Sequence, residues 1–235
     1  MLRFKKGILL LLVLALVVVG ACAATQDKKV RAMGWYMNTW ANNVIKPLGI
    51  TAEVGDWIPV AEWGKYDTVI LTQGVKNPQK LNEEEFIELI NWISLGNSII
   101  LANNSMNVIL ETGTYNKPEI APLTGVSYYN IAKFGEGAVV LDNQHPLTNH
   151  MSVGESVSNW KDEGYYYAKV TTAQRLVGFN GTGVQQDSGW VFVNQIGKGY
   201  VYTIIPVPAA DAPVDLITLC KKAVLLACGE PIPEP

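Results

Sequence analysis

Residues 67–72 (DTVILT), 81–95 (LNEEEFIELINWISL) and 98–102 (SIILA) read in order as a strand, a helix and a strand. Both predicted strands are rich in β-branched and aliphatic residues and lack polar alternation, which is typical of parallel strands covered on both faces. In the predicted helix, Asn82 and Glu85 have the spacing of a capping box. A succession of this length predicts two parallel strands joined by a right-handed crossover.

The same alternation continues on both sides of this unit. Upstream, residues 29–34 and 51–54 are predicted strands around a predicted helix at residues 39–48. A final helix is predicted at residues 211–228, with Gly229 just past its end. The strands predicted between these parts are shorter, at residues 126–131, 138–141, 165–170, 176–179, 189–195 and 199–205.

The last two of these strands form a predicted antiparallel hairpin, because Gly197 between them accepts the positive φ of a tight turn. No repeat or long linker interrupts the pattern, so we expect a single domain over residues 29–229. Residues 230–235 (EPIPEP) are a predicted disordered tail. The predicted fold class is α/β, a mostly parallel sheet flanked by helices, with antiparallel strands in the C-terminal half.

The composition excludes several classes of function. The chain has 235 residues, 49% of them hydrophobic, and carries a formal charge of −3, which offers no broad basic surface for nucleic acid. With three cysteines, two histidines and no C-x-x-C or H-x-x-x-H pair, we expect no metal site. The Gly-x-Gly pairs lie in predicted loops without a following helix, so we also expect no dinucleotide cofactor.

The first residues have the order of a secretory signal. Basic residues at Arg3, Lys5 and Lys6 precede an apolar run at residues 8–19 and a small-residue stretch at 20–24. The run is shorter than the roughly 20 residues that a membrane span needs.

Within this segment, residues 19–22 (VGAC) resemble the bacterial lipobox. The resemblance implies a lipoprotein signal peptide at residues 1–21 and an acylated Cys22 that anchors the exported protein to a membrane of the cell envelope. Residues 22–28 are then a short tether. The alternative is ordinary secretory cleavage after Ala23.

Two cysteines remain in the body of the chain, Cys220 and Cys228. Both lie on the last predicted helix, where eight residues at about 1.5 Å each separate them by about 12 Å. That distance is beyond disulfide reach. We therefore interpret both as buried packing residues.

Five stretches in the domain together resemble ThuA-like proteins, which belong to the class I glutamine amidotransferase-like superfamily. The resemblance implies a flavodoxin-like sheet, and the family is associated with the metabolism of trehalose and other sugars. The resemblance covers most of residues 29–228 and depends on the order and spacing of the five stretches. They are KYDTVILT from Lys65, LINWISLGNSIILANN from Leu89, HPLTNHM from His145, WKDE from Trp160 and GWVFVNQIGKGYVYT from Gly189.

Amidotransferases of this superfamily carry a nucleophilic cysteine on the turn after the strand that corresponds to residues 98–102. This chain has Asn103, Asn104 and Ser105 there and no cysteine, which disfavours glutaminase activity. Ser105 is either a substitute nucleophile or, as we favour, the N-cap of residues 106–110.

The titratable candidates are His145, Asp162 and Glu163. His145 precedes a proline, and it is either a general base or a loop imidazole that donates to a backbone carbonyl. Asp162 and Glu163 are adjacent, so at most one of them enters a cleft. The family resemblance implies that this carboxylate meets His145 near the carboxyl ends of the strands, where open α/β sheets bind ligands.

Two functional hypotheses follow. The first is an exported, lipid-anchored domain without amidotransferase chemistry that binds a saccharide ligand or an envelope protein, with Asn103, Asn104, Ser105, His145 and Glu163 as ligand-binding candidates. Its aromatic residues, seven tryptophans and ten tyrosines, suit the flat face of a sugar ring. The second is a hydrolase or isomerase of a sugar derivative that uses His145 with Asp162 or Glu163.

Overall fold

An eight-stranded sheet organises the chain in the computed structural model, which describes residues 27–75, 81–103, 105, 121–126, 130–131, 138–160, 166–167, 170–179 and 188–232. The strands, in chain order, are β1 (Lys29–Met33), β2 (Thr51–Gly55), β3 (Thr68–Leu71), β4 (Ser98–Ala102), β5 (Asn130–Ile131), β6 (Ala138–Val140), β7 (Tyr166–Tyr167), β8 (Gln174–Phe179), β9 (Gly189–Ile196) and β10 (Gly199–Ile204). β5 and β7 pair separately, and the other eight form the main sheet.

The main sheet has the strand order β2-β1-β3-β4-β10-β9-β8-β6. The pairs β1–β2, β1–β3, β3–β4 and β4–β10 are parallel. The remaining pairs, β10–β9, β9–β8 and β8–β6, are antiparallel. This arrangement confirms the predicted fold class, including the parallel pair β3–β4 and the hairpin at Gly197, whose φ is +57°.

Among the described residues, four α-helices flank the sheet, and turns of other helical types extend or join them. α1 (Met37–Trp40) continues through a π-helical turn (Ala41–Ile45) into a 3₁₀ turn (Lys46–Leu48), and a second 3₁₀ segment spans Val60–Lys65. The remaining helices are α2 (Glu83–Ser94), α3 (Ala121–Thr124) and α4 (Val214–Ala227).

The predicted boundaries of the long helices are correct to within three residues. The capping box of α2 is confirmed, with Asn82 accepting from the amide of Glu85 and the Glu85 carboxylate accepting from the amide of Asn82. α4 begins at Val214 rather than at residue 211, because the residue before Pro213 is disfavoured in a helical conformation.

The central strands hold the two helical layers together. Every residue of β3 and β4 is buried, as predicted for strands covered on both faces. The crossovers β1 to β2 and β3 to β4 run in opposite directions along the sheet, and right-handed crossovers of that kind place their helices on opposite faces. The largest fully buried side chains are Trp40 and Trp63.

The cysteine of α4 and the one at its C-cap both pack as predicted. Cys220 and Cys228 are buried and free. Burial raises the pKa of the Cys228 thiol to about 12 and raises that of Cys220 as well, so neither sulfur is a reactive thiolate near neutral pH.

An ion-pair cluster joins the two ends of the domain. The Lys28 ammonium lies 3.3 Å from the Asp67 carboxylate and 3.2 Å from that of Glu230, and it donates to the Cys228 carbonyl at 3.0 Å. Lys28 is the last residue of the predicted tether, and Glu230 is the first of the predicted tail. Among the described residues, no helix has the length and apolar character to cross a bilayer.

Candidate functional site

The carboxyl ends of β1 and β3 form the switch point of the sheet. From β1 the chain crosses to β2 on one side, and it then enters β3 on the other side of β1. Open α/β sheets bind ligands in the crevice outside this point, because the loops there diverge. The residues that leave β1 are 34–36, and those that leave β3 are 72–75.

Hydrogen bonds join these two loops directly. The Trp35 amide donates to the Gln73 carbonyl at 2.7 Å, and the Tyr36 amide donates to Thr72 Oγ1 at 3.0 Å. The Thr72 hydroxyl in turn donates to the Met33 carbonyl at 3.0 Å and is fully buried. The main chain on either side of the switch point is therefore held in a fixed arrangement.

Trp35 presents its indole at this point, with 63% of the residue exposed. The ring lies against Gly74, where an added Cβ would overlap the indole atoms Nε1, Cε2 and Cδ1. Gly74 also has φ +73°, a conformation that other residues rarely adopt. The glycine thus gives the ring a flat support and leaves the ring's opposite face to solvent.

Asn103 occupies the turn after β4, where the family resemblance places a nucleophile. Its φ of +49° is the only positive value found for a non-glycine residue in the described parts of the chain. Its Oδ1 accepts from Trp40 Nε1 at 2.8 Å, and its Nδ2 donates to the carbonyls of Pro206 at 2.9 Å and Ile205 at 3.3 Å. Asn103 therefore joins β4, β10 and α1, and both hydrogens of its amide are used within the protein.

Buried polar groups without a partner accumulate at the same edge of the sheet. The hydrogen bond from the Ile205 amide to the Trp190 carbonyl, 3.0 Å, places the start of β9 level with the end of β10. Within the described residues, six buried side-chain polar atoms have no partner, and four of them are near this edge: Gln73 Oε1, Ser105 Oγ, Ser188 Oγ and Trp190 Nε1.

We call the set Trp35, Gln73, Ser105, Ser188 and Trp190 the carboxyl crest. Folded proteins leave few buried polar groups unsatisfied, and each such group calls for an explanation. The crest offers both donors and acceptors, from an indole, an amide and two hydroxyls. All four of these atoms are buried, so a ligand would reach them only where the crest opens, whereas the Trp35 indole is already exposed.

His145 lies on another part of the molecule. It belongs to the turn after β6, and β6 runs antiparallel to β10, so the chain leaves β6 heading away from the crest. Four strand spacings separate β6 from β4, about 19 Å across the sheet. The imidazole does not donate to a carbonyl through Nδ1. Instead Nδ1 accepts from the Leu147 amide at 3.1 Å.

Several solved structures superimpose on this chain over most of its length. A protein of Bacteroides uniformis described as ThuA-like superimposes with a TM-score of 0.62 at 11% identity, over 86% of this chain and 91% of that one. The chain has a ThuA-like fold. A cytoplasmic protein of Salmonella typhimurium LT2 has a TM-score of 0.56 at 11% identity, over 85% and 97% of the two chains.

The ThuA-like fold also matches part of a larger enzyme. The β-galactosidase of the Antarctic haloarchaeon Halorubrum lacusprofundi has a TM-score of 0.52 at 15% identity, over 86% of this chain and only 30% of that one. At these identities the likeness concerns the fold alone. No protein-family model and no curated protein matches the sequence.

Several predicted site residues lie outside the described residues of this ThuA-like fold: Cys22, Asn104, Asp162 and Glu163. The segment that Ser105 was predicted to cap, residues 106–110, is also outside them. Ser105 itself is buried beside Asn103, and its Oγ has no partner within the described structure. In the described ranges, no group of three metal-ligating side chains comes together.

The sequence analysis did not identify Gln73, Ser188 and Trp190. A signal for Gln73 was present, because it follows a strand of four buried residues and therefore lies at the ligand-binding edge of the sheet. Ser188 and Trp190 had no such signal. Their position depends on the antiparallel pairing of β9 with β10, which brings the start of β9 to the end of β10.

Proposed function

We propose that this protein is exported, anchored to the cell envelope through an acylated Cys22, and binds a saccharide at the carboxyl crest without amidotransferase chemistry. One observation carries the proposal: an exposed tryptophan supported by a glycine at the switch point of an open α/β sheet. The ligand-binding edge of the ThuA-like fold holds an asparagine where a nucleophilic thiol would be required.

A saccharide suits this edge for chemical reasons. A pyranose ring has an apolar face that packs on an indole, and its rim of hydroxyl groups both donates and accepts hydrogen bonds. The crest supplies the exposed indole of Trp35. The uncharged polar atoms of Gln73, Ser105 and Ser188 are buried beside it at the same edge and would pair with ligand hydroxyls once the crest opens.

An envelope protein as ligand has less support. Apart from Ile87 and Leu95, which belong to α2 and its C-cap, the exposed large hydrophobic side chains of the described residues lie on different elements, whereas a protein partner would favour one contiguous patch. They are Trp35, Val54, Ile87, Leu95, Val153, Tyr200 and Val214.

The saccharide proposal predicts the behaviour of Trp35→Ala. We expect a saccharide from a glycan and sugar-phosphate panel to raise the melting temperature of the full chain, since a ligand that binds the folded state stabilises it. Trp35→Ala should weaken binding of that saccharide at least tenfold, about 1.4 kcal/mol, in isothermal titration calorimetry. The unliganded stability should change by no more than about 0.5 kcal/mol, because the side chain is exposed.

Two further variants make this test specific. Gly74→Ala keeps the indole but displaces it, so it should also weaken binding. Tyr200→Ala is the matched control, since Tyr200 is an exposed aromatic residue near the opposite end of β10 and should leave the affinity unchanged. A panel in which no saccharide shifts the melting temperature, or equal affinities for wild type and Trp35→Ala, would contradict the proposal.

The membrane anchor is tested separately. The lipobox-like residues 19–22 support acylation at Cys22. Cells that express the full chain should incorporate labelled palmitate into it, and Cys22→Ser should abolish the label, because the thioether requires this sulfur. Cys220→Ser is the control and should keep the label. Persistent labelling of Cys22→Ser would refute the anchor without affecting the saccharide proposal.

A further inference from the structure

The two histidines of the chain lie in one short turn and depend on the same protonation state. The sequence contains only His145 and His150. His145 accepts a hydrogen bond through Nδ1 from the Leu147 amide at 3.1 Å. A protonated imidazole has no acceptor, so this bond exists only when His145 is neutral.

His150 joins the turn to helix α4. Its Nδ1 lies 3.1 Å from the Lys222 ammonium, and its Nε2 lies 3.2 Å from the Asp215 carbonyl oxygen. One tautomer satisfies both contacts, with Nε2–H donating to the carbonyl and Nδ1 accepting from lysine. Lys222 is buried, and it also donates to Asn149 Oδ1 at 2.6 Å.

Protonation would therefore act on both contacts in the same direction. A proton on His150 would remove the acceptor for Lys222 and place two cations 3.1 Å apart in a half-buried site. A proton on His145 would set two N–H donors, its own and that of Leu147, against each other. The first change favours separation of the turn from α4, and the second loosens the turn itself.

The charges around the two rings do not reverse this effect. Burial lowers the pKa of His145, and the Asp142 carboxylate opposes it more weakly. Burial also lowers the pKa of His150. There the hydrogen bond to Asp215 raises the pKa, the Lys222 charge lowers it further, and the charges of Asp215 and Glu155 raise it slightly. In both cases the result is a pKa below the ordinary value of 6.5.

We propose that residues 141–151 form an acid-released clasp, which is closed on α4 near neutral pH and opens on mild acidification. Opening would expose Leu147 and Met151, which are buried in the closed state, together with the Lys222 ammonium. If the protein is exported as proposed above, such a clasp would respond to acidification outside the cytoplasm.

The sign of the pH dependence follows from proton counting. Each histidine binds a proton more readily when the clasp is open, because its pKa in the closed state is below the ordinary value. The stabilisation of the closed state is complete above pH 6.5 and decreases as the pH falls towards the closed-state pKa. Within that window, the opening constant rises by up to about tenfold per pH unit for each histidine.

Hydrogen exchange of the full chain between pH 7.5 and pH 5 tests the clasp. After correction for intrinsic exchange rates, peptides covering residues 141–151 should open progressively more at low pH, whereas peptides of β3 and β4 should not. The double variant His145→Asn/His150→Asn keeps an acceptor oxygen in place of each Nδ1 and takes up no proton. Its opening should be independent of pH.

Two results would overturn the clasp. One is equal opening of the wild-type segment at both pH values, and the other is a pH dependence that persists in the double variant. If the double variant does not fold, nuclear magnetic resonance of the wild type decides the question, since only two histidine Cε1–H signals exist. Both should titrate with midpoints below 6.5, and a midpoint at or above that value for either would refute its role.

Discussion

Asn103→Ala is expected to lower the free energy of unfolding by about 4 kcal/mol or more. The change removes the partners of three buried groups, the Trp40 indole N–H and the carbonyls of Ile205 and Pro206. Each buried group left without a partner costs about 1–3 kcal/mol. Alanine is also strained at a φ of +49°, which adds about 1 kcal/mol. Urea unfolding should show a lower midpoint at an unchanged slope.

Two other variants separate these contributions. Asn103→Gly relieves the backbone strain but not the lost hydrogen bonds, so it should recover only about 1 kcal/mol of the loss. Asn38→Ala, at an exposed position in α1, should change stability by no more than about 0.5 kcal/mol. A loss of less than about 1 kcal/mol for Asn103→Ala would show that the network contributes little to stability.

This network explains why the turn after β4 differs from that of an amidotransferase. A nucleophile there must expose its reactive atom, whereas Asn103 directs its side chain into contacts with residues from α1 and from the end of β10. The two described thiols, in α4 and at its C-cap, are far along the chain, buried, and held protonated by their surroundings. Asn103 thus has a structural role that a small thiol would not serve.

Local signals predicted most of the secondary structure. The capping box of α2, the continuous apolar runs of β3 and β4, and the glycine between β9 and β10 each act within a few residues of the chain. For that reason they are visible in the sequence. The crossover rule then made β3 and β4 parallel, and the family resemblance supplied the sheet type.

The candidate site was less predictable because its parts are distant in the sequence. Asn103 was expected to contact a ligand, but it binds Trp40 and Pro206, which are 63 and 103 residues away in the sequence. No residue near Asn103 in the chain indicates these partners. His145 was expected near the carboxyl ends of the strands. Its place followed from the direction of β6, which only the order and pairing of the C-terminal strands define.

Trp35 shows the opposite case. The sequence analysis assigned the tryptophans and tyrosines as a group to sugar binding, and the structure divides them by burial. Trp40 and Trp63 are core residues, whereas Trp35 is exposed. The difference follows from position, since Trp35 comes just after β1 at the open edge of the sheet and the others lie in helical segments packed on its faces.

Gly199→Ala is expected to destabilise the domain by about 3 kcal/mol or more, because overpacking against rigid backbone is among the costliest core changes. Gly199 is the first residue of β10, and an added Cβ would overlap the carbonyl oxygens of Asn97 and Ile93. Both belong to the end of α2 and the turn into β4, which the hairpin contacts through the Lys198 amide and the Ser94 carbonyl at 3.1 Å.

Gly64→Ala provides a matched control for this prediction. Gly64 has no atom within 4 Å of an added Cβ and no positive φ, so alanine there should leave stability unchanged or raise it by about 0.4–1 kcal/mol. Thermal unfolding of the two variants compares the same chemical change in a crowded and an open site. Equal melting temperatures would mean that the end of α2 moves away from β10 at little cost. The close packing of helix, strand and hairpin would then not define this edge of the sheet.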